Sequence, residues 1–218
     1  QGSVSDNDGY NTQAAYGAPL IDDVLGVRVA GVYDTNNGGD IENLSTGFDD
    51  QEAEAYSGRL STIWQPIDTL STQLIYQYLD RTNDNPLAMS GTDQFEPANR
   101  PTLKPEDRKA LAPSDDYADF DATLVNLITN WEVMNHQLTG IIAYQDSDKP
   151  AQNDTDRAYS LQYINTEAPT FQAPETASES TSYELRLASM DNDFWNYMVG
   201  LYYQDQNTTT TFEQNGVR

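Results

Sequence analysis

Alternating polarity dominates this chain of 218 residues, and that period of two constrains the fold more than any other feature. Between Leu70 and Tyr78, apolar or weakly polar side chains occupy every second position, and Ser71, Gln73 and Gln77 stand between them. Successive side chains of a β-strand point to opposite faces of its sheet. The pattern therefore predicts strands with one apolar and one mostly polar face, in an all-β fold.

We predict about eight such strands, arranged as an antiparallel up-and-down meander of four hairpins. They span residues 10–18, 24–33, 53–65, 70–80, 119–131, 136–146, 179–189 and 194–205. Short turns of residues such as Pro, Asp and Asn join the two strands of each hairpin. The connections between hairpins, near 34–52, 81–118 and 147–178, are much longer, and we expect disorder or irregular structure across 81–118 and 147–178. All ten prolines fall outside the predicted strands.

Charge and rare residues exclude several classes of function. Asp and Glu total 35 against 11 Lys and Arg, which gives a formal net charge of −24. A polyanion repels phosphate backbones, so nucleic acid is not an expected partner. With no cysteine and a single histidine, His136, the chain offers neither a thiolate nucleophile nor a cluster of histidine ligands. We therefore expect no enzymatic activity, no resident metal and no cofactor.

Aromatic residues distinguish the two ends of the predicted strands. Trp64, Trp131 and Trp195 lie beside the short turns, whereas tyrosines such as Tyr33 and Tyr78 lie beside the long connections. Amphipathic rings prefer the headgroup level of a bilayer, and strands of about 9 to 11 residues cross it when tilted. Two aromatic rows with aliphatic residues between them are typical of an outer-membrane β-barrel.

Several motifs resemble a known family of such barrels. These are Leu25-Gly-Val-Arg-Val-Ala-Gly-Val-Tyr33, Ser57-Gly-Arg-Leu60 running into Trp64-Gln-Pro-Ile-Asp68, Ser182-Tyr-Glu-Leu-Arg-Leu-Ala-Ser189, and Phe194-Trp-Asn-Tyr-Met-Val-Gly-Leu-Tyr-Tyr203. Together they resemble the barrel strands of TonB-dependent outer-membrane receptors, in the iron-complex (siderophore) receptor branch. The resemblance covers most strands between about residues 9 and 205 and does not extend to the long connections.

The resemblance implies a localisation, a function and partners. The expected location is the bacterial outer membrane, with membrane lipid around the barrel. The expected function is import of a scarce bulky nutrient, such as a ferric-siderophore-type chelate. Energy would come from the TonB complex, acting through a plug domain that residues 1–218 do not contain. We therefore expect the chain to be an internal piece of a larger barrel, and an open curved sheet when isolated.

The same reading assigns candidate functional residues. Four charged side chains lie opposite the apolar face and are expected to face the barrel lumen: Arg28, Arg59, Glu184 and Arg186. They are expected to form inter-strand ion pairs or to contact a plug, with direct ligand contact as the alternative. Aromatic residues in the long outer connections are expected to meet a ligand first: Phe95, Tyr159, Tyr163 and Phe171.

Two other architectures fit the alternation and remain open at this point. Eight strands could close into a complete small outer-membrane barrel that acts as a passive pore. A soluble acidic β-sandwich that serves as a binding module, for example for carbohydrate, would also alternate apolar and polar residues.

Overall fold

The computed structural model describes residues 1–4, 9–37, 41–43, 51–84, 104–110, 116–154, 171–190 and 195–215. Nearly all of these residues are in strands, as the alternation predicts. The eight long strands are β2 (Tyr10–Ile21), β3 (Leu25–Asn37), β5 (Glu52–Ile67), β6 (Leu70–Asp84), β9 (Phe120–Val133), β10 (His136–Asp154), β11 (Phe171–Ser189) and β12 (Met198–Asn215). The short elements are β1 (Gly2–Val4), β4 (Glu42–Asn43), a 3-10 helix (Pro105–Asp107), β7 (Lys109–Ala110) and β8 (Tyr117–Ala118).

The eight long strands form a single antiparallel sheet in chain order. Each pairs with its neighbour in sequence: β2 with β3, β3 with β5, β5 with β6, β6 with β9, and so on to β12. β1 extends the sheet beside β2, and β8 lies between β6 and β10 where those strands extend beyond β9. Apart from this sheet, β4 and β7 pair in parallel. The predicted up-and-down meander is confirmed.

Tight turns connect the long strands at one end of the sheet. Met134 and Asn135 join β9 to β10 with φ angles of 48° and 61°. Positive φ at both central residues is the requirement of a two-residue type I′ turn, whose twist matches that of the flanking strands. Asp23, with φ of 57°, takes part in the turn between β2 and β3. These turns set the register of their hairpins.

The strands extend well beyond their predicted ends, and here the sequence prediction was wrong. β10 continues to Asp154 and β11 begins at Phe171, within the connection predicted to be irregular. β6 likewise continues to Asp84, and β12 continues through the polar run 206–211 to Asn215. The rest of the two long connections, 85–103, 111–115 and 155–170, lies outside the described residues. The sequence pattern did not reveal the outer ends of these strands, because the residues there are mostly polar. Inter-strand hydrogen bonds join backbone groups and require no apolar side chains.

Four prolines also lie within strands, contrary to prediction. Pro19 and Pro66 are beside irregularities in the register, between Pro19 and Ile21 on β2 and between Trp64 and Ile67 on β5. A bulge tolerates a residue that has no N–H group to donate. Pro150 and Pro174 lie in the outer parts of β10 and β11, beyond the predicted strand ends.

The sheet has no second layer among the described residues. Ala110 and Ala122 are the apolar side chains there that are fully buried, and large apolar residues such as Leu201 and Val199 are exposed. β12 pairs with β11 alone, so the described strands do not close into a barrel. This open single layer argues against both the closed eight-stranded barrel and the β-sandwich. The described residues contain no helix long enough and apolar enough to cross a membrane.

Candidate functional site: the two faces of the sheet

The pairing register assigns every strand residue to one of two faces. The face that contains Val29 also contains Leu60, Tyr76, Val125 and Tyr144, because these residues pair in sequence across the strands. We call it the apolar face. The opposite face contains Arg28, which pairs with Gly17 on β2 and with Ser61 on β5, and we call it the polar face. The alternation read from the sequence is thus continuous across the whole sheet.

Tyrosines form a row on the apolar face near the long connections. Their rings contact one another in pairs: the centroids of Tyr10 and Tyr33 are 5.5 Å apart, those of Tyr56 and Tyr78 6.1 Å, and those of Tyr183 and Tyr203 6.3 Å. Aromatic rings prefer tilted or offset geometry at 4.5–7 Å. The row is therefore built from three pairs of tyrosines, each pair on neighbouring strands.

Tryptophans mark the end of the sheet that carries the short turns. Trp64 and Trp131 lie on the apolar face of β5 and β9, and Trp195 precedes β12. The Trp195 ring lies 5.3 Å from that of Tyr197, whose hydroxyl is 2.5 Å from Nε2 of His136 on β10. These contacts connect two neighbouring turns through the single histidine.

Both aromatic rows run diagonally across the sheet. When the pairing is traced from strand to strand, Tyr203 on β12 lies at the same level as Val27 on β3. Val27 is six residues from Tyr33, and β12 is six strands away from β3. Trp64 pairs with Thr72 and Trp131 pairs with Leu70, so the tryptophans shift by two residues over two strands. Each row thus moves by one residue per strand, in the same direction.

A shift of one residue per strand means that the strands are tilted away from the perpendicular to the aromatic rows, and its size gives the tilt angle. One residue advances about 3.3 Å along a strand and neighbouring strands are about 4.8 Å apart, so the tilt is about 35°. Closed barrels have tilts of roughly 35–45°. The fold is that of a β-barrel wall. The distance between the rows agrees with this assignment: Tyr56 and Trp64 are eight residues apart on β5, about 26 Å along the strand and about 21 Å across the tilted wall.

The barrel wall is similar to a solved receptor. The crystal structure of the ferric yersiniabactin uptake receptor FyuA from Yersinia pestis superposes with a TM-score of 0.78 and 17% sequence identity. The match covers 98% of this chain and 31% of that one, so the chain spans less than a third of the receptor. At this identity the likeness shows the fold. No protein-family model matches the sequence, and no curated protein matches it either.

The four predicted lumen residues all lie on the polar face of the barrel wall. Arg186 on β11 pairs with Thr139 on β10. Its guanidinium donates two hydrogen bonds to Glu184 on the same strand, from Nη2 to Oε2 at 2.8 Å and from Nε to Oε1. Their partner is thus within the strand, not between strands as expected. Arg28 and Arg59 are on adjacent strands and form no salt bridge with a described residue.

The register also sorts the charges of the barrel wall. The described long strands contain five basic side chains, and all lie on the polar face: Arg28, Arg59, Arg81, Lys149 and Arg186. Three acidic side chains share that face, namely Asp34, Glu132 and Glu184. The apolar face carries no basic residue on these strands, but many acidic ones, among them Glu54, Asp80, Asp121, Asp146, Glu179 and Asp205. A chain with a net charge of −24 thus has a polar face with more basic than acidic residues.

Sequence reasoning missed Arg81 and Lys149. Arg81 continues the alternation of Gln73 and Gln77 on β6, one residue past the predicted end of that strand. Lys149 likewise follows the predicted end of β10, and its ammonium lies 5.1 Å from the centre of the Phe120 ring. Extending the alternation into the polar ends of the strands would have found both.

Acidic residues on the apolar face lie beyond the tyrosine row. Asp80 is two residues past Tyr78, and it pairs with Asp121, which pairs in turn with Asp148. Like charges directly opposite each other on neighbouring strands are unfavourable. Burial raises the pKa of Asp121, and repulsion from Asp148, Asp80 and Asp146 raises it further. The carboxylate of Asp121 is therefore disfavoured by its surroundings in this outer segment of the wall.

Uncharged polar side chains cover the polar face of β11 and β12 in the same outer region. The amide of Gln204 donates to Ser180 at 3.0 Å, and the hydroxyl oxygens of Ser178 and Thr208 are 3.1 Å apart. Those of Thr176 and Thr210 are 3.2 Å apart. This cross-strand ladder explains how the run of threonines, which lies past the predicted strand end at residue 205, extends β12.

The structure describes one of the four aromatic residues that were predicted to lie in outer loops. Phe171 is the first residue of β11, half-buried on the apolar face, where it pairs with Asp154 and Asn215. It lies in a strand, not in a loop as predicted, because β10 and β11 remain paired out to that point. Phe95, Tyr159 and Tyr163 lie outside the described residues.

Proposed function

We propose that this chain is part of the wall of an outer-membrane receptor that imports a scarce, bulky nutrient, of the ferric-siderophore type, with energy from the TonB complex. The observation that carries the proposal is the pair of parallel aromatic rows, separated by a band of aliphatic residues about 21 Å high. Such a band fits the hydrocarbon core of an outer membrane. The similar fold of a ferric yersiniabactin uptake receptor supports the choice of cargo.

The two faces then have separate roles. The apolar face contacts lipid with Leu, Val and Ile, and the tyrosine and tryptophan rows lie at the two headgroup levels. The polar face lines the lumen. By the family resemblance, the short turns face the periplasm and the long connections face outward.

Transport in this proposal breaks no covalent bond. The outer ends of the strands and their connections capture the nutrient, and a plug domain in the lumen blocks passage. The energy-coupling complex of the inner membrane then displaces the plug, and the nutrient passes along the polar face. The wall contributes binding groups and a fixed frame, while the moving part is the plug.

Residues 1–218 contain no cysteine, so a thiol introduced there can report location and orientation, with the protein without the added thiol as the background control. Met134→Cys places a thiol in an exposed short turn, and Thr209→Cys places one near the outer end of β12. In intact bacteria, a membrane-impermeant maleimide should label Thr209→Cys and leave Met134→Cys unlabelled until the cells are lysed. Labelling of both positions in intact cells, or recovery of the protein outside the outer-membrane fraction, would disprove the proposal.

Transport itself is tested by deleting the gene that encodes this chain. Iron-starved cells that lack it should lose uptake of at least one radiolabelled ferric chelate, and a strain that lacks TonB should show the same loss. Unchanged uptake of every ferric chelate would refute the cargo while leaving the barrel assignment intact.

A further inference from the structure

Arg28 and Arg59 are diagonal neighbours on the polar face. Arg28 on β3 pairs with Ser61 on β5, and Arg59, two residues from Ser61, pairs with Ala30. Diagonal positions on adjacent strands are about 7–8 Å apart, well within the reach of two arginine side chains. Both side chains are exposed on this face.

No acidic side chain of the described strands offsets this pair. Arg59 has Gln77 opposite it on β6, and Arg28 has Gly17 opposite it on β2. A Cβ at position 17 would lie 3.4 Å from Cβ of Arg28, so the glycine leaves room for the arginine stem. Asp34, the acid of β3 on this face, is six residues from Arg28 and accepts a hydrogen bond from Asn11 at 2.8 Å.

Arg186 provides the contrast within the same molecule. It also lies opposite a glycine, Gly200, but Glu184 neutralises it from two residues away. Two adjacent guanidinium groups without a carboxylate repel each other, and an anion placed between them removes that repulsion. Guanidinium groups bind carboxylate, phosphate and sulfonate oxygens through paired N–H donors.

We propose that Arg28 and Arg59 together bind one anionic group of the transported nutrient, so that the cargo is an anionic chelate and not a neutral or cationic one. This inference rests on the proposed function, because it requires the polar face to line the transport path. A carboxylate could also come from the protein's own plug, and the experiment must separate these two sources.

The test is chemical modification of arginines in the full-length protein, purified in detergent. A shift in gel mobility on heating shows that the sample is folded. Phenylglyoxal modifies free guanidinium groups, and mass spectrometry reports the rate at each arginine. Citrate serves as the anionic probe. Saturating citrate should slow modification of Arg28 and Arg59 about tenfold or more, because a guanidinium held in charge-assisted hydrogen bonds is shielded from the reagent. Arg186, already paired with Glu184, should be unaffected.

Substitutions sharpen the assignment to a single shared site. Arg28→Gln should raise the citrate concentration that half-protects Arg59 about tenfold, and Arg59→Gln should do the same for Arg28. Arg186→Gln is the matched control and should change neither. Independent protection of the two arginines would overturn the proposal.

Two further outcomes also contradict it. If both arginines resist modification without citrate and react once about 1 M salt screens the charges, the anion is a carboxylate of the protein, and the conclusion about the cargo fails. If both react freely and citrate has no effect, no anion site exists. If the protein is correctly inserted in the outer membrane, either result contradicts the anion site and does not contradict the proposed receptor function. Failure to insert contradicts both the anion site and the receptor function.

Discussion

At the scale of single residues, the face on which a side chain lies decides what a new charge costs. Leu74 is on the apolar face of β6, 38% exposed, about midway between the aromatic rows, and its neighbour Gln73 is on the polar face. Leu74→Arg should destabilise the barrel by about 2–4 kcal/mol, the cost of a cation facing lipid near the bilayer midplane. Gln73→Arg, one residue away, should cost far less.

Urea unfolding of the intact reading frame in lipid vesicles measures both variants. Equal losses of unfolding free energy would show that the apolar face does not contact lipid. The paired design matters, because the two substitutions introduce the same side chain at the same height in the wall.

Asp121 provides a pH-dependent prediction at the same scale. Its pKa is raised in the folded protein, first by burial and then by neighbouring carboxylates, so its ionisation favours unfolding. The penalty is present at neutral pH and disappears below the unfolded carboxyl pKa of about 3.9. Asp121→Asn should therefore raise the urea midpoint at pH 7, and the advantage should shrink on acidification and vanish only below about pH 3.9. Asp22→Asn, in an exposed turn, should show no such advantage, and an equal gain there would contradict the assignment.

At the scale of elements, tight turns hold the hairpins in register. Met134 is 89% exposed with φ of 48°, a conformation that costs a non-glycine residue about 1–2 kcal/mol. Met134→Gly should therefore stabilise the β9–β10 hairpin by about 1 kcal/mol, and Met134→Val should destabilise it. Met198→Gly, within β12, is the control and should destabilise. A loss of stability in Met134→Gly would show that the turn has another geometry.

Element lengths show where sequence reasoning succeeded and where it failed. All eight long strands were predicted, because apolar residues recur at every second position in their central parts. The ends of β10, β11 and β12 were not, because Ser, Thr, Gln and Asp at these ends are typical of loops as well. What distinguishes them is pairing: Thr176 with Thr210 and Ser178 with Thr208 form a ladder whose members are distant in sequence.

At the scale of the whole molecule, the sheet has an unpaired edge along β12. β6 has β5 on one side and β9 with β8 on the other, whereas β12 has a neighbour on one side alone. In the isolated chain in detergent, about half of the β12 amides should exchange with solvent quickly, since antiparallel strands direct alternate N–H groups to opposite sides. Amides of β6 should be protected throughout. Uniform protection of β12, measured by hydrogen exchange, would indicate closure or association through this edge.

The sequence by itself determined that the chain is all-β, that its strands have an apolar and a polar face, and that aromatic residues mark both ends. These properties follow from a period of two along one strand, which is local. The register between one hairpin and the next was decided by the tertiary structure alone. It set the one-residue shift per strand, the adjacency of Arg28 and Arg59, and the contact of Asp80 with Asp121. That register depends on hydrogen bonds between hairpins that long connections separate in the chain, and no local pattern contains it.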